Sequence, residues 1–119
     1  MTRADDTRWK AQPRWRIRRG DEIALGPGKA DLLEAIAEAG SISGAARALC
    51  MSYRRAWLLV ETMNRCFRRP LVSTSSFRRG GASLTAEGQE VLALYRRAEK
   101  RGLAATRESW AAIERLLEP

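Results

Sequence analysis

The sequence predicts a mainly α-helical fold with a small β component, and three observations predict it. Apolar residues recur at helical spacing in successive stretches between Leu32 and Leu117. The run from Ser41 to Trp57, Ser-Ile-Ser-Gly-Ala-Ala-Arg-Ala-Leu-Cys-Met-Ser-Tyr-Arg-Arg-Ala-Trp, reads as a short alanine-rich helix, a tight turn and a second helix. Small residues let two helices pack closely at a steep angle, and the second helix opens on polar and cationic groups. Directly after it, two short strand-like segments enclose a basic, glycine-containing loop. Together these features spell a winged helix-turn-helix with an N-terminal hairpin and a long C-terminal helix or helix pair.

Each element has its own signal. Residues 1–13 mix charge with Thr and Pro without a period and read as a flexible arm. From Arg14 to Leu25, Trp15, Ile17, Ile23 and Leu25 alternate around Arg19-Gly20-Asp21, the pattern of a small hairpin. Its apolar face needs a cover, either the first helix or a second subunit. Pro27 opens a helix that ends at Ala39 before Gly40, the usual asymmetry of helix termini. Leu32, Leu33, Ile36 and Ala37 form its inner stripe, with Asp31, Glu34 and Glu38 turned away.

Ser43 is the expected N-cap of the next helix, with Ile42 as its apolar anchor and Ala45, Ala46 and Leu49 facing inward. Cys50 stands where many such turns carry glycine, and a left-handed conformation there costs a non-glycine residue about 1 kcal/mol. The third helix spans about Ser52 to Phe67, with Ala56, Leu59, Val60, Met63 and Phe67 on its core side. Arg54, Glu61 and Arg65 project oppositely, and Arg55 lies on a flank. Leu58 also falls on the outer side, as a contact to thymine methyls or as a partner-facing residue.

Leu71-Val-Ser-Thr and Ser83-Leu84 read as the wing strands, with the loop at about 75–82 between them. Thr85 caps a further helix whose apolar face is Val91, Leu92, Tyr95 and Ala98; Gly102 is the expected break before a last segment bearing Trp110, Ile113 and Leu117. Residues 14–84 thus form the winged domain and 85–119 a C-terminal helical dimerisation element. The alternative for the last stripe is that it folds back onto Leu32 and Ile36.

Bulk properties narrow the function. Lys and Arg total 22 against 14 acids, a net charge of +8 with pI near 10.7, which favours a polyanionic partner. No apolar run approaches the roughly 20 residues that span a bilayer, and Met1 to Trp15 lacks a signal-type hydrophobic stretch, so the cytoplasm is the expected location and no membrane partner is expected. Cys50 and Cys66 are far from CxxC spacing and read as small reduced fillers. With no histidine, His-based catalysis and common zinc ligand sets are excluded. There is no nucleophile–base pair, phosphate loop or metal-ligand cluster, so neither an enzyme, a cofactor nor a metal is expected.

Between Ser52 and Gly81 stand seven arginines and one acid, Glu61. Such segregation is what a phosphate-tracking surface needs, and it points to double-stranded DNA. A helix entering the major groove reads bases with its first turns. Ser52 and Tyr53 are therefore placed for phosphates or base edges, and Arg54 and Arg55 can fork to guanine O6 and N7. Arg65, Arg68 and Arg69 lie further along and suit phosphate. Arg78 and Arg79 on the wing can reach the backbone or adjacent minor groove. Ser43 is a cap first and a phosphate contact second. Dimerisation through the C-terminal helix and the N-terminal hairpin would double the contact. The competing function is a winged-helix interaction module docking on a separate effector-sensing protein.

One resemblance adds to this reading. Leu33-Glu-Ala-Ile-Ala-Glu-Ala-Gly-Ser-Ile-Ser-Gly-Ala-Ala-Arg-Ala-Leu, Met51-Ser-Tyr-Arg-Arg-Ala-Trp, Met63-Asn64, Pro70-Leu71-Val72 and Leu84-Thr85 resemble the N-terminal DNA-binding domain of ModE-type molybdate-responsive regulators. That domain is related to LysR-type regulators, and the likeness runs from about Trp15 to Leu103. The family's wing has a longer glycine-rich stretch after a Thr, where this chain carries the shorter, more basic Ser73–Ala82. Full-length members carry molybdate-binding domains beyond the DNA-binding domain, whereas this sequence stops at Pro119. The resemblance implies DNA binding and dimerisation, and not molybdate sensing by this polypeptide.

Overall fold

Gly20, at φ 60°, turns the chain between β1 (Ile17–Arg19) and β2 (Glu22–Leu25) in the computed structural model, which describes residues 8–74 and 80–119. The strands are antiparallel, pairing Arg19 with Glu22 and Arg18 with Ile23. A two-residue loop of this kind needs a positive φ that only glycine adopts cheaply. The burial is one-sided. All of β1 is exposed, whereas β2 carries Leu25 into the core and packs on α1 (Pro27–Ala39) and α3 (Tyr53–Cys66). Trp15 and Ile17 stay on the surface.

Helix α1 is the hub. Pro27 sits at its start, and Gly40, at φ 75°, ends it by donating its N–H to the Ile36 carbonyl. Ala30, Leu32, Leu33, Ala35 and Ile36 are buried beneath α2 (Ile42–Ala48), α3, β4 (Ser83–Leu84) and α4 (Ala86–Ala105). Because neighbours crowd α1 from several sides, Ala35 is buried in place of the expected Ala37. Ala37 instead borders an open groove with Leu84, Leu92 and Arg96.

The cap of α2 is Ser41 and not Ser43. The left-handed Gly40 delivers Ser41 in an extended conformation, and its hydroxyl accepts from the Gly44 N–H at 2.9 Å. Ser43 is one residue inside the helix, exposed, and its hydroxyl accepts from Arg47 at 3.3 Å. The following turn is a Schellman motif: Cys50 donates to the Arg47 carbonyl and Met51 to that of Ala46. Cys50 is left-handed at φ 56°, in the place glycine would take.

The wing strands β3 (Val72–Ser73) and β4 pair antiparallel, Val72 opposite Leu84 and Ser73 opposite Ser83. Ala82 donates its N–H to Gly40 O and Ser41 bridges Gly81, so the returning arm of the wing is stitched to the α1–α2 corner. Helix α4 starts at Thr85, whose hydroxyl accepts from Gly88 N–H and donates to Pro70 O. Arg96 ties α4 to α1 through Asp31 and Glu34, both at 2.7 Å, and also meets Glu99 on its own helix. Burial works against the Arg96 charge, but these three carboxylates outweigh it and raise its pKa.

Gly102 does not break the helix: α4 continues to Ala105, and the Trp15 indole lies on the glycine. The break falls at Thr106, before α5 (Arg107–Glu114). The folded-back alternative fails, because α5 is exposed throughout while Leu32 and Ile36 are covered by other elements. What lies against α5 is the N-terminal segment. Trp9 donates its indole N–H to Glu118 O at 2.8 Å, and residues Trp9 to Ala11 border Trp110, Ile113 and Leu117. The first seven residues of the expected arm lie outside the described residues. With α4 and α5 projecting, the molecule measures 53 × 32 × 25 Å, and its radius of gyration of 16.6 Å exceeds the roughly 13.5 Å of a spherical chain this long.

Candidate nucleic-acid interface

Helix α3 presents four faces, which its own periodicity sorts at about 100° per residue. Ala56, Val60 and Met63 are buried against the core. Tyr53, Trp57 and Asn64 lie along one flank, and Arg55, Thr62 and Cys66 along the other. Arg54, Leu58, Glu61 and Arg65 occupy the outer face, all of them exposed. The expected inward set is therefore right at its centre, with Leu59 and Phe67 half-buried at its edges.

Ser52 starts the helix by accepting the Arg55 N–H at 3.0 Å, so its hydroxyl is engaged as a cap. Tyr53, half exposed, stands edge-on to Trp57 with ring centroids 6.3 Å apart. Trp57 itself packs on the core. Arg54 and Arg55 are exposed and in no ion pair with a carboxylate among the described residues. Two guanidiniums at the open start of a helix are what groove recognition requires.

Other expected contacts are placed differently. Arg65 is paired with Glu22 of the hairpin, which bolts β2 to α3 and holds the Glu22 carboxyl below its usual pKa. Arg69 pairs with Glu87 at 3.0 Å, tying the exit of α3 to the first turn of α4. Arg68, exposed beside it, is in no ion pair among the described residues. Arg78 and Arg79 lie outside the described residues. Ser43 is exposed on α2 and engaged by Arg47.

The wing is positioned by a residue that charge-based reasoning passed over. Asn64 Oδ1 accepts from the backbone N–H groups of Leu71 and Val72 at 2.9 and 3.1 Å, and Nδ2 donates to Val72 O at 3.1 Å. The signal available was the Met63-Asn64 pair within the resemblance. Lys29 was also missed. It lies on the opposite flank, in the first turn of α1, beside Thr62, Glu22 and Ile23. Burial pushes its ammonium below the ordinary lysine value, and the Arg55 charge adds to that. A lysine where the helix dipole disfavours cations is itself a signal.

A reading helix braced on one side by a two-stranded wing and capped at its open end defines a winged helix-turn-helix DNA-binding domain. The chain belongs to the bacterial regulatory helix-turn-helix proteins of the lysR family, whose model matches residues 29–89. It is 40% identical over 79 residues to the molybdenum-pterin-binding protein MopA of Rhodobacter capsulatus, a match covering 65% of this chain and 30% of that protein. To the molybdenum transport protein ModE of Azotobacter vinelandii it is 38% identical over 97 residues, 80% of this chain and 33% of that one. The transcriptional regulator ModE of Haemophilus influenzae is 36% identical over 75 residues, 61% of this chain and 29% of its own. The chain thus spans about a third of the length of these relatives. Among solved structures, the DNA-binding domain of CbnR in complex with DNA superposes with a TM-score of 0.59 at 26% identity, covering 72% of this chain and 95% of that one.

Proposed function

We propose that this protein is a sequence-specific transcriptional regulator that inserts the start of α3 into the DNA major groove and lays the wing along the flanking backbone. The observation that carries the reading is the pair Arg54 and Arg55, exposed at the helix start and not engaged by the protein's own carboxylates among the described residues. Ser52 and Tyr53 supply further polar contacts at the same end, and Arg68 with the wing residues Arg78 and Arg79 supplies phosphate contacts. Arg65 and Arg69 serve first to brace the hairpin and α4. The role assigned is binding, with no catalytic step.

The working unit we propose is a cytoplasmic homodimer. Trp110 and Ile113 on α5 and Leu117 just beyond it remain about 40–48% exposed even with the N-terminal segment beside them, and Leu116 is 86% exposed. A projecting apolar edge of this kind supports pairing with a second copy. Exposed Leu58 favours a second reading, in which α3 docks on a separate effector-sensing protein.

The test is discrimination between a duplex selected from a random pool and an unselected one, at fixed salt. Arg54→Ala and Arg55→Ala are expected to remove that preference, each good bidentate contact discriminating by about 1–3 kcal/mol. An unchanged preference in both variants would move the reading function away from α3. Binding that shows no salt dependence at all would favour the protein-docking reading.

A further inference from the structure

The two flanks of α3 are both occupied by two-stranded hairpins. Asn64 attaches the wing to one flank; at the other, Ile23 and Lys29 share an open cleft with Thr62, and Glu22 of the hairpin reaches Arg65 on the outer face. Asn64 and Thr62 are about 160° apart around the helix axis at 100° per residue. Between them lies the outer face with Arg54 and Leu58. An α-helix is about 10–12 Å across with its side chains, and the major groove is about 12 Å wide. A helix that fills the groove therefore brings whatever stands on its two flanks against the two bordering phosphate strands.

The hairpin is equipped for that position. Every residue of β1 is exposed, Arg18 and Arg19 sit at its turn end, and Lys29 lines a cleft with Asp21 of the turn and Glu22 and Ile23 of β2. Three carboxylates share the region. Glu22 is taken up by Arg65, Glu61 stands one turn before Arg65 on α3, and Asp21 lies in the turn. Against them stand Arg18, Arg19, Lys29, Arg55 and Arg65, a clear excess of positive charge. Its rigidity is supplied by the Arg65–Glu22 bridge and by Leu25 in the core.

We propose that the N-terminal hairpin is a second phosphate-binding edge: Arg18 and Arg19, together with Lys29, grip the DNA backbone on the side of the groove away from the wing. The proposal rests on the reading of α3 as the groove helix. Phosphate contacts are indifferent to sequence, so a labelled random-sequence duplex suffices as the probe. The variants are Arg18→Ala with Arg19→Ala, and separately Lys29→Met, which keeps an apolar stem in its half-buried cleft.

For each, the plot of log affinity against log salt is expected to become shallower by about 0.9 for every phosphate no longer neutralised. Binding to random and selected duplexes should weaken together, severalfold at moderate salt, with discrimination intact. Ethylation interference on the parent protein should mark phosphates on both borders of the groove, and in the double variant one border should go unmarked. An Arg18/Arg19 variant with the parent's salt slope and both phosphate tracks would overturn the proposal while leaving the groove reading standing. A parent protein without salt-dependent binding would take both down.

Discussion

The carboxamide of Asn64 grips the backbone of Val72 from both sides, donating to its carbonyl and accepting from its N–H, each at 3.1 Å. This side chain, in the last full turn of α3, mimics a third strand at the root of the wing. It sets how far the wing stands from the helix that would enter the groove.

Asn64→Leu keeps the size and removes all three hydrogen bonds, leaving partly buried backbone groups of Leu71 and Val72 without this partner. A loss of about 2–3 kcal/mol in chemical denaturation is expected. DNA affinity, measured on the fraction that remains folded, should fall for all sequences alike, because the wing contributes position and not base reading. A variant with parental stability would mean the wing is held without Asn64, by its strand pairing and its stitching to Gly40 and Ser41.

Cys50→Gly should stabilise the protein by roughly 1 kcal/mol. Cys50 holds φ 56° in the helix-turn-helix corner, is exposed, and so has little packing to lose. Urea titration should show a higher midpoint with an unchanged slope. A lowered midpoint would show that the thiol contributes more to the turn than its backbone strain removes.

One substitution at two sites should give opposite signs. Gly28→Ala places a methyl in open space in the first turn of α1 and should stabilise by roughly 0.5 kcal/mol. Gly88→Ala would put its Cβ 2.1 Å from the Leu71 carbonyl oxygen, where backbone meets backbone and neither side can turn aside. A loss of about 2–3 kcal/mol or more is expected, with α4 displaced from the wing root. Thermal melts of the two variants, run side by side, check both signs.

Stability should fall in alkali through Tyr95. Burial raises the pKa of this phenol, and its hydroxyl donates to Trp15 O at 2.7 Å, a bond that exists only while the proton does. A group whose folded pKa lies above its unfolded one contributes fully below the unfolded value. Its contribution then disappears as pH rises from about 10 through the folded value. Tyr95→Phe should cost about 1 kcal/mol near neutrality and flatten the alkaline limb relative to the parent. Parallel curves for the two proteins above pH 10 would remove Tyr95 from the account.

Elements whose limits are set by local chemistry were legible from residues alone. Pro27 and Gly40 delimit α1 because a missing N–H and a left-handed residue act where they stand. The buried centre of α3 and the wing strands followed from spacing in the same way. What escaped depended on distant partners. Nothing near Arg65 reveals that its carboxylate is 43 residues away, and Ser41 displaces Ser43 as cap with its neighbour Gly40 stitched to Ala82 and Ser41 itself bridged to Gly81. Gly102 reads as a break by propensity, yet the Trp15 indole packs against it inside the helix. Of the candidate site, the cationic start of α3 was visible early; the braces that orient it were not.

Helix α4 is fastened twice, by the close approach of Gly88 to Leu71 at its root and by Arg96 to Asp31 and Glu34 further along. It has no swivel. In a dimer joined beyond its far end, the two reading helices would be set at one separation and one phase, like teeth on a fixed gauge. A single base pair inserted between operator halves rotates one of them by about 35°, and a pair so joined could follow only by bending the DNA or by yielding at the Thr106 break.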